Sequence, residues 1–191
     1  MRTLLSTAFM LLAIGAPAAA QGSHFGIQGG VVYSPTTAYL PGGWGVGITV
    51  PLGAPSSDPA FRLEANYTQL GPAPAPINPG GGGGGFTSYS ALGASANVLA
   101  SVFGAPEHTS LYLIAGLGYY GVRSTVTGST GREAGRGPIL GAFGYNGGLG
   151  LRFSSLFLEV RYAVIKNGAS AYWPGTPQDL VSIPLTLGFS F

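Results

Sequence analysis

Along most of this chain hydrophobic residues recur at every second position. In Leu156–Lys166 one set is Leu156, Leu158, Val160, Tyr162 and Val164, and the alternate set holds Phe157, Glu159 and Arg161. Phe61–Leu70 divides into Phe61, Leu63, Ala65 and Tyr67 against Arg62, Glu64, Asn66 and Thr68. In Trp44–Leu52 the division is Trp44, Val46, Ile48, Val50 and Leu52 against Gly45, Gly47 and Thr49. Successive side chains of a strand point to opposite faces, so this period predicts strands with one bulky apolar face and one small or polar face. Eight such segments can be traced: His24–Tyr33, Trp44–Leu52, Phe61–Leu70, Ser88–Leu99, Ser110–Arg123, Leu140–Phe153, Leu156–Lys166 and Leu180–Phe191. None carries a helical period.

The connections alternate in length. Ser34–Gly43, Gly71–Thr87, Ser124–Ile139 and Asn167–Asp179 are long, whereas Gly53–Ala60, Ala100–Thr109 and the Ser154–Ser155 turn are shorter. Short turns at one end and long loops at the other fit an up-and-down barrel. The run "GPAPAPINPGGGGGG" (Gly71 to Gly85) is of low complexity, and strands of the same pattern flank it, so it reads as a loop within one domain.

Composition decides which face is inside. Charged residues make up 7% of the 191 residues, against about 25% in a soluble domain, while 34 glycines and 15 prolines exclude a bundle of Leu-rich membrane helices. Arg62, Glu64, Arg152, Glu159 and Arg161 fall on the face that also carries the glycines, among them Gly47, Gly116, Gly148, Gly150 and Gly188. Small residues suit the crowded interior of a narrow barrel. Charges of both signs can pair there, whereas an arginine at a lipid midplane costs about 2–4 kcal/mol. The polar face is therefore expected inside and the apolar face toward lipid.

The outward aromatics sort by end. Phe25, Phe61, Phe153, Phe189 and Phe191 lie beside the short turns or the chain end, and Tyr33, Trp44, Tyr67 and Tyr119 beside the long loops. Two aromatic girdles are expected of a membrane barrel. The closing "SIPLTLGFSF" alternates up to Phe191, as a last strand must if it pairs with the first and leaves no open edge in hydrocarbon.

The N-terminus, "MRTLLSTAFMLLAIGAPAAAQG", has one basic residue, a short apolar run and an A-x-A site. It reads as a secretory signal peptide over residues 1–20, cleaved after Ala20, followed by one barrel domain over 21–191.

Together these features resemble the small outer-membrane β-barrel family, which holds outer membrane protein X and the barrel domain of outer membrane protein A and is often filed as "porin family". "GGLGLRFSSLFLEVRY" (Gly147 to Tyr162) is similar to that family's glycine-rich strand, tight turn and charged-lumen strand. The resemblance implies that Phe189 and Phe191 form a C-terminal signal for the barrel-insertion machinery. A glycine common five residues before the end in that family is Thr186 here, with Gly188 nearby. The expected fold is all-β, an eight-stranded antiparallel up-and-down transmembrane barrel with short periplasmic turns and four longer extracellular loops. The expected location is the outer membrane of a diderm (Gram-negative) bacterium, as a monomer, with outer-membrane lipids, the insertion machinery and periplasmic chaperones as partners.

Candidate chemistry is sparse. "GLGYYG" (Gly116 to Gly121) lies within a strand and lacks the strand-turn-helix context of a dinucleotide site. "NYT" (Asn66 to Thr68), a glycosylation sequon, also falls within a strand. Related barrels include lipid A deacylases, palmitoyl transferases and proteases. Their sites need a histidine with a carboxylate, and His24 and His108 both fall at the short-turn end, with only Glu107 adjacent. Enzymatic activity, a cofactor and a metal site are not expected, and with 8 Lys+Arg no basic patch for nucleic acid can be assembled. The inward charges can be a structural plug or an ion pathway. The lumen of about eight strands is just wide enough for side chains, which favours the plug and a structural or surface-interaction role over a narrow passive channel for ions or small solutes.

Overall fold

The computed structural model describes residues 25–35, 42–52, 58–74, 86–104, 109–128, 132–168 and 179–191. The leader, His24, Glu107, His108 and most of the glycine-rich run lie outside them.

The strands are β1 (Gly26–Tyr33), β2 (Gly43–Leu52), β3 (Ala60–Pro74), β4 (Phe86–Gly104), β5 (Thr109–Thr127), β6 (Glu133–Arg136), β7 (Leu140–Phe153), β8 (Leu156–Ile165) and β9 (Leu180–Ser190). Eight of them close an antiparallel barrel in the order β1-β2-β3-β4-β5-β7-β8-β9, with β9 returning to β1. Closure runs from Gly26↔Ser190 to Tyr33↔Ile183. The chain end is held on both sides: the Ser190 N–H donates to Ser155 O at 2.8 Å and the Phe191 N–H to Phe25 O at 2.7 Å.

The expected all-β barrel is thus the fold, with longer walls than the period alone marks. β3 continues to Pro74 past an irregularity between Leu70 and Ala73, and β4 begins at Phe86 and runs to Gly104 through a bulge between Ser101 and Phe103. The segment Ser124–Ile139, expected as loop, carries β5 on to Thr127 and contains β6, which pairs as Thr125↔Arg136 and Val126↔Gly135. Thr125, Val126 and Thr127 are β-branched and favour the extended state. Bulges commonly bend or end the pairing at barrel rims.

The period holds across the wall. Phe25, Ile27, Val31 and Tyr33 of the first wall segment are exposed, while Gln28 and Val32 are buried. On β8 Leu156, Leu158, Val160 and Tyr162 are exposed, and Phe157, Glu159 and Arg161 are buried. Val164, expected on the outer face, is buried as well. The inner face is not polar throughout. At the long-loop end Val32, Leu70, Tyr89, Ala91, Val122, Ala142, Ile165 and Leu180 form one cluster, drawn from every barrel strand except β2. At the other end Leu99, Tyr112 and Ile114 pack with Ala60.

Candidate functional site

β3 and β8 stand opposite each other in the barrel: three strands separate them in either direction, and both run from the short-turn end to the long-loop end. β3 carries "RLE" (Arg62 to Glu64) and β8 carries "EVR" (Glu159 to Arg161). Because the strands run the same way, the reversed order sets opposite charges across the lumen at two levels. Arg62 Nη2 reaches Glu159 Oε1 at 2.7 Å. One level higher, Arg161 donates through Nη1 to Glu64 Oε2 at 2.7 Å and through Nη2 to Glu64 Oε1 at 2.8 Å. Each strand also pairs with itself, Arg62 Nε donating to Glu64 Oε1 at 2.8 Å and Arg161 Nε to Glu159 Oε2 at 3.0 Å. Arg161 Nη2 donates to Glu159 Oε2 as well. The result is a closed, net-neutral ring in which each carboxylate meets both guanidinium groups.

Burial makes this ring consequential. Glu159 is 0% exposed, Glu64 3%, Arg62 4% and Arg161 7%. A charge removed from water this completely is tolerated only when its partners and hydrogen bonds replace the lost solvation. Further partners come from β1, β3 and β5. The Tyr112 hydroxyl of β5 donates to Glu159 Oε1 at 2.6 Å, and Asn66 Nδ2 and Gln28 Nε2 donate to Glu64 Oε2 at 3.2 Å and 3.4 Å. The Arg62 guanidinium lies 5.3 Å from the centre of the Phe157 ring, within cation–π range.

Glycine makes the room. Glu159 sits opposite Gly150, Arg161 opposite Gly148, Gln28 opposite Gly188, and both Asn97 and Asn146 opposite Gly116. A Cβ on Gly150 would come within 2.3 Å of the Tyr112 ring, and one on Gly188 within 2.0 Å of the Phe157 ring. Large and small residues therefore alternate around the lumen, and the glycines determine where Tyr112 and Phe157 can lie.

The fifth inward charge is placed differently. Arg152 is opposite Ser110, nearer the short turns, and its guanidinium lies 5.6 Å from the Tyr112 ring centre. It approaches the ring of charges through Tyr112, whose hydroxyl is on Glu159. Tyr112, Gln28, Asn66, Asn97 and Asn146 were not singled out as partners by the sequence pattern. Their signal is parity alone: each occupies an inward position of its strand.

The aromatic residues expected in the two girdles lie on the outer surface. Phe25, Tyr33, Trp44, Phe61, Tyr119, Phe153, Phe189 and Phe191 are exposed, and Tyr67 is half-buried. They pair at both ends: Phe25 with Phe191 at 6.2 Å and Phe189 with Phe191 at 5.0 Å, Trp44 with Tyr67 at 5.6 Å and Tyr119 with Phe143 at 5.1 Å between ring centres. Phe143 and Tyr145 extend the long-loop belt, as does Tyr162.

The rim carries exposed ion pairs. Arg136 Nε is 2.9 Å from Glu133 Oε1, and Lys166 Nζ is 2.6 Å from Asp179 Oδ2. The hydrogen bond from Lys166, followed by that from the Asn167 N–H, holds the Asp179 carboxyl below its ordinary range. The same hydrogen bond raises Lys166.

No family model matches the sequence, and no curated protein matches it either. Among solved structures the chain is similar to Neisserial surface protein A, with 16% identity and a TM-score of 0.54 over 88% of this chain and 96% of that one. Ail, the attachment invasion locus protein of Yersinia pestis, solved with the heparin analogue sucrose octasulfate, is 13% identical with a TM-score of 0.49 over 88% and 99% of the two chains. The outer membrane enzyme PagL is 14% identical with a TM-score of 0.44 over 86% and 98%. The likeness to Neisserial surface protein A is one of fold: this chain is a small up-and-down barrel of the type found in outer-membrane proteins.

Proposed function

We propose that this chain is an integral outer-membrane protein of a diderm bacterium, exported by a cleaved signal peptide over residues 1–20, with a lumen plugged by charge. Its role is structural, or surface interaction through the long loops, and not catalytic. The observation that carries this reading is the inversion of polarity across the wall. The four charged side chains of the ring are buried inside, and residues such as Leu117 and Phe143, 72% and 73% exposed, face outward. In water such an exterior would associate, because contiguous apolar patches of this extent are rare on soluble monomers. In a bilayer it is matched to its solvent, and the closed ladder leaves no edge in hydrocarbon.

The protein works as a monomer in contact with outer-membrane lipids, after delivery by periplasmic chaperones and the barrel-insertion machinery, with Phe189 and Phe191 as the insertion signal. Cell fractionation with gel mobility tests the assignment. The mature chain should partition with outer membranes and migrate differently before and after boiling in detergent. Recovery in the soluble periplasmic fraction without detergent would overturn it.

A second reading, a narrow passive channel for ions or small solutes, draws on the cavity of about 90 Å³ above the charge ring. That cavity is lined by Arg161 of the ring and by Val32, Leu70, Ile165 and Leu180 of the apolar layer, so a conducting path would still have to break the ring.

A further inference from the structure

Two arginines outside the charge ring stand where the wall leaves the membrane. Along β5 the inward set includes Tyr112, Ile114, Val122 and Ser124, all buried, so parity turns Tyr119, Gly121, Arg123 and Thr125 outward. Opposite residues of an antiparallel pair share a face, and the register carries this outward surface to the neighbouring strands. Arg123 faces Ser90 of β4, which faces Gln69 of β3. Thr125 faces Ser88 on one side and Arg136 of β6 on the other. Arg136 is therefore the diagonal neighbour of Arg123, about 7–8 Å away, and two side chains of this length can reach one anion.

Tyr119 fixes the height. Its ring lies 5.1 Å from that of Phe143, and its hydroxyl occupies the space that a Cβ on Gly141 would take. Gly141 is paired with Gly121, so the hydroxyl reaches the level of Gly121. Hydroxyls of such a belt sit at the boundary of hydrocarbon and headgroups. Arg123 is one outward position further, about 7 Å along the strand. With a strand tilt of about 35–45° that is a rise of about 5 Å, inside a headgroup layer about 5–8 Å thick per leaflet.

The two guanidinium groups keep donors to spare. Arg123 is half-buried, and its Nε is shielded from solvent with no hydrogen-bond partner among the described residues. Arg136 meets Glu133 through Nε, and its side chain is 58% exposed. Lys166 at the same rim differs: its Nζ is held by Asp179 at 2.6 Å and lies 5.9 Å from the Tyr145 ring centre. On β1, opposite β5 in the barrel, the outward face stays apolar through Val31 and Tyr33, both exposed.

We propose that Arg123 and Arg136 clamp the phosphate group of a lipid in the leaflet on the long-loop side, with Ser90 and Thr125 as neighbouring hydroxyl donors. A phosphate offers several acceptor oxygens to planar guanidinium forks. Height selects the lipid: the donors stand on the membrane-facing surface of the wall, one step above the aromatic belt, where a lipid phosphate lies and a soluble anion would have to enter the headgroups. The clamp gives the barrel one lipid-selective side.

This inference rests on the outer-membrane reading, which fractionation tests separately. Mature protein is refolded in nonionic detergent micelles and its fold checked by boiling-dependent mobility. In native mass spectrometry it should retain dioleoyl phosphatidic acid and release dioleoylglycerol, which has the same acyl chains and no phosphate. Arg123→Gln should weaken retention of phosphatidic acid about tenfold, the loss of one charge-assisted contact. Arg136→Gln should weaken it by a smaller factor, and Lys166→Gln should leave it unchanged. Arg136 lies on β6, outside the closed barrel, so its variant carries the test if Arg123→Gln does not refold. Equal retention of the two lipids, or unaltered retention by either arginine variant, would overturn the clamp and leave the membrane assignment intact. Displacement of phosphatidic acid by an equal concentration of inorganic phosphate would mean a site for soluble anions and would overturn the lipid assignment.

Discussion

At the centre of the barrel, Glu159 is fully buried and is held by Arg62, Arg161 and Tyr112. At the rim, Glu133 lies 2.9 Å from Arg136 with side chains 44% and 58% exposed. The contact lengths are alike, and the physical settings are not. An exposed pair exchanges one well-solvated state for another and contributes about 0–1 kcal/mol. A buried pair has already given up its water, so removing one partner strands the other, at a cost of about 3–5 kcal/mol. Distance alone does not rank these interactions; what surrounds them does.

That contrast sets the order of expected effects. Glu159→Gln should be the largest: Arg62 and Arg161 would share the single carboxylate of Glu64, and urea titration of refolded protein should show a loss approaching about 3–5 kcal/mol. A loss below 1 kcal/mol would mean that water already screens the ring. Gly150→Ala comes next. The added methyl group meets the Tyr112 ring, and overpacking of this kind costs about 1–3 kcal/mol. The Tyr112–Glu159 hydrogen bond should weaken with it, visible as a change in Tyr112 fluorescence or side-chain resonance. Glu133→Gln should be the smallest, no more than about 1 kcal/mol, and further reduced by salt.

The Lys166–Asp179 pair sharpens the comparison through pH. Asp179 is held below the ordinary carboxylate value, so its contribution is complete above about pH 4 and is lost as pH falls through the lowered value. Lys166 is raised, so its contribution is complete below about pH 10 and is lost as pH rises through the raised value. Between about pH 5 and 9 this rim pair should therefore add no pH dependence to unfolding. A slope in that window that disappears in Asp179→Asn would contradict the assignment.

The ring was legible to different depths in the sequence. Parity placed Arg62, Glu64, Glu159 and Arg161 inside, because a one-residue alternation with a bulky apolar partner face admits no other register. The pairing across the lumen is also written there, as "RLE" against "EVR" on strands that run the same way, once the strand count makes β3 and β8 opposite. Arg152 could not be resolved by parity, which gives the face and not the level along the barrel axis; register puts it beside Ser110, nearer the short turns. The apolar layer at the long-loop end was hidden for a related reason. Val32, Leu70, Val122 and Leu180 each look like a single departure from a polar face, and only barrel closure gathers them into one layer. β6 was missed because Glu133–Arg136 carries no apolar period and is held by pairing to β5 alone.

Single-channel recording decides whether the ring closes the lumen as proposed. Refolded mature protein reconstituted in planar bilayers should give no stepwise conductance. Steady, reproducible channel openings from the unmodified chain would contradict the plug and establish the lumen as a path for ions.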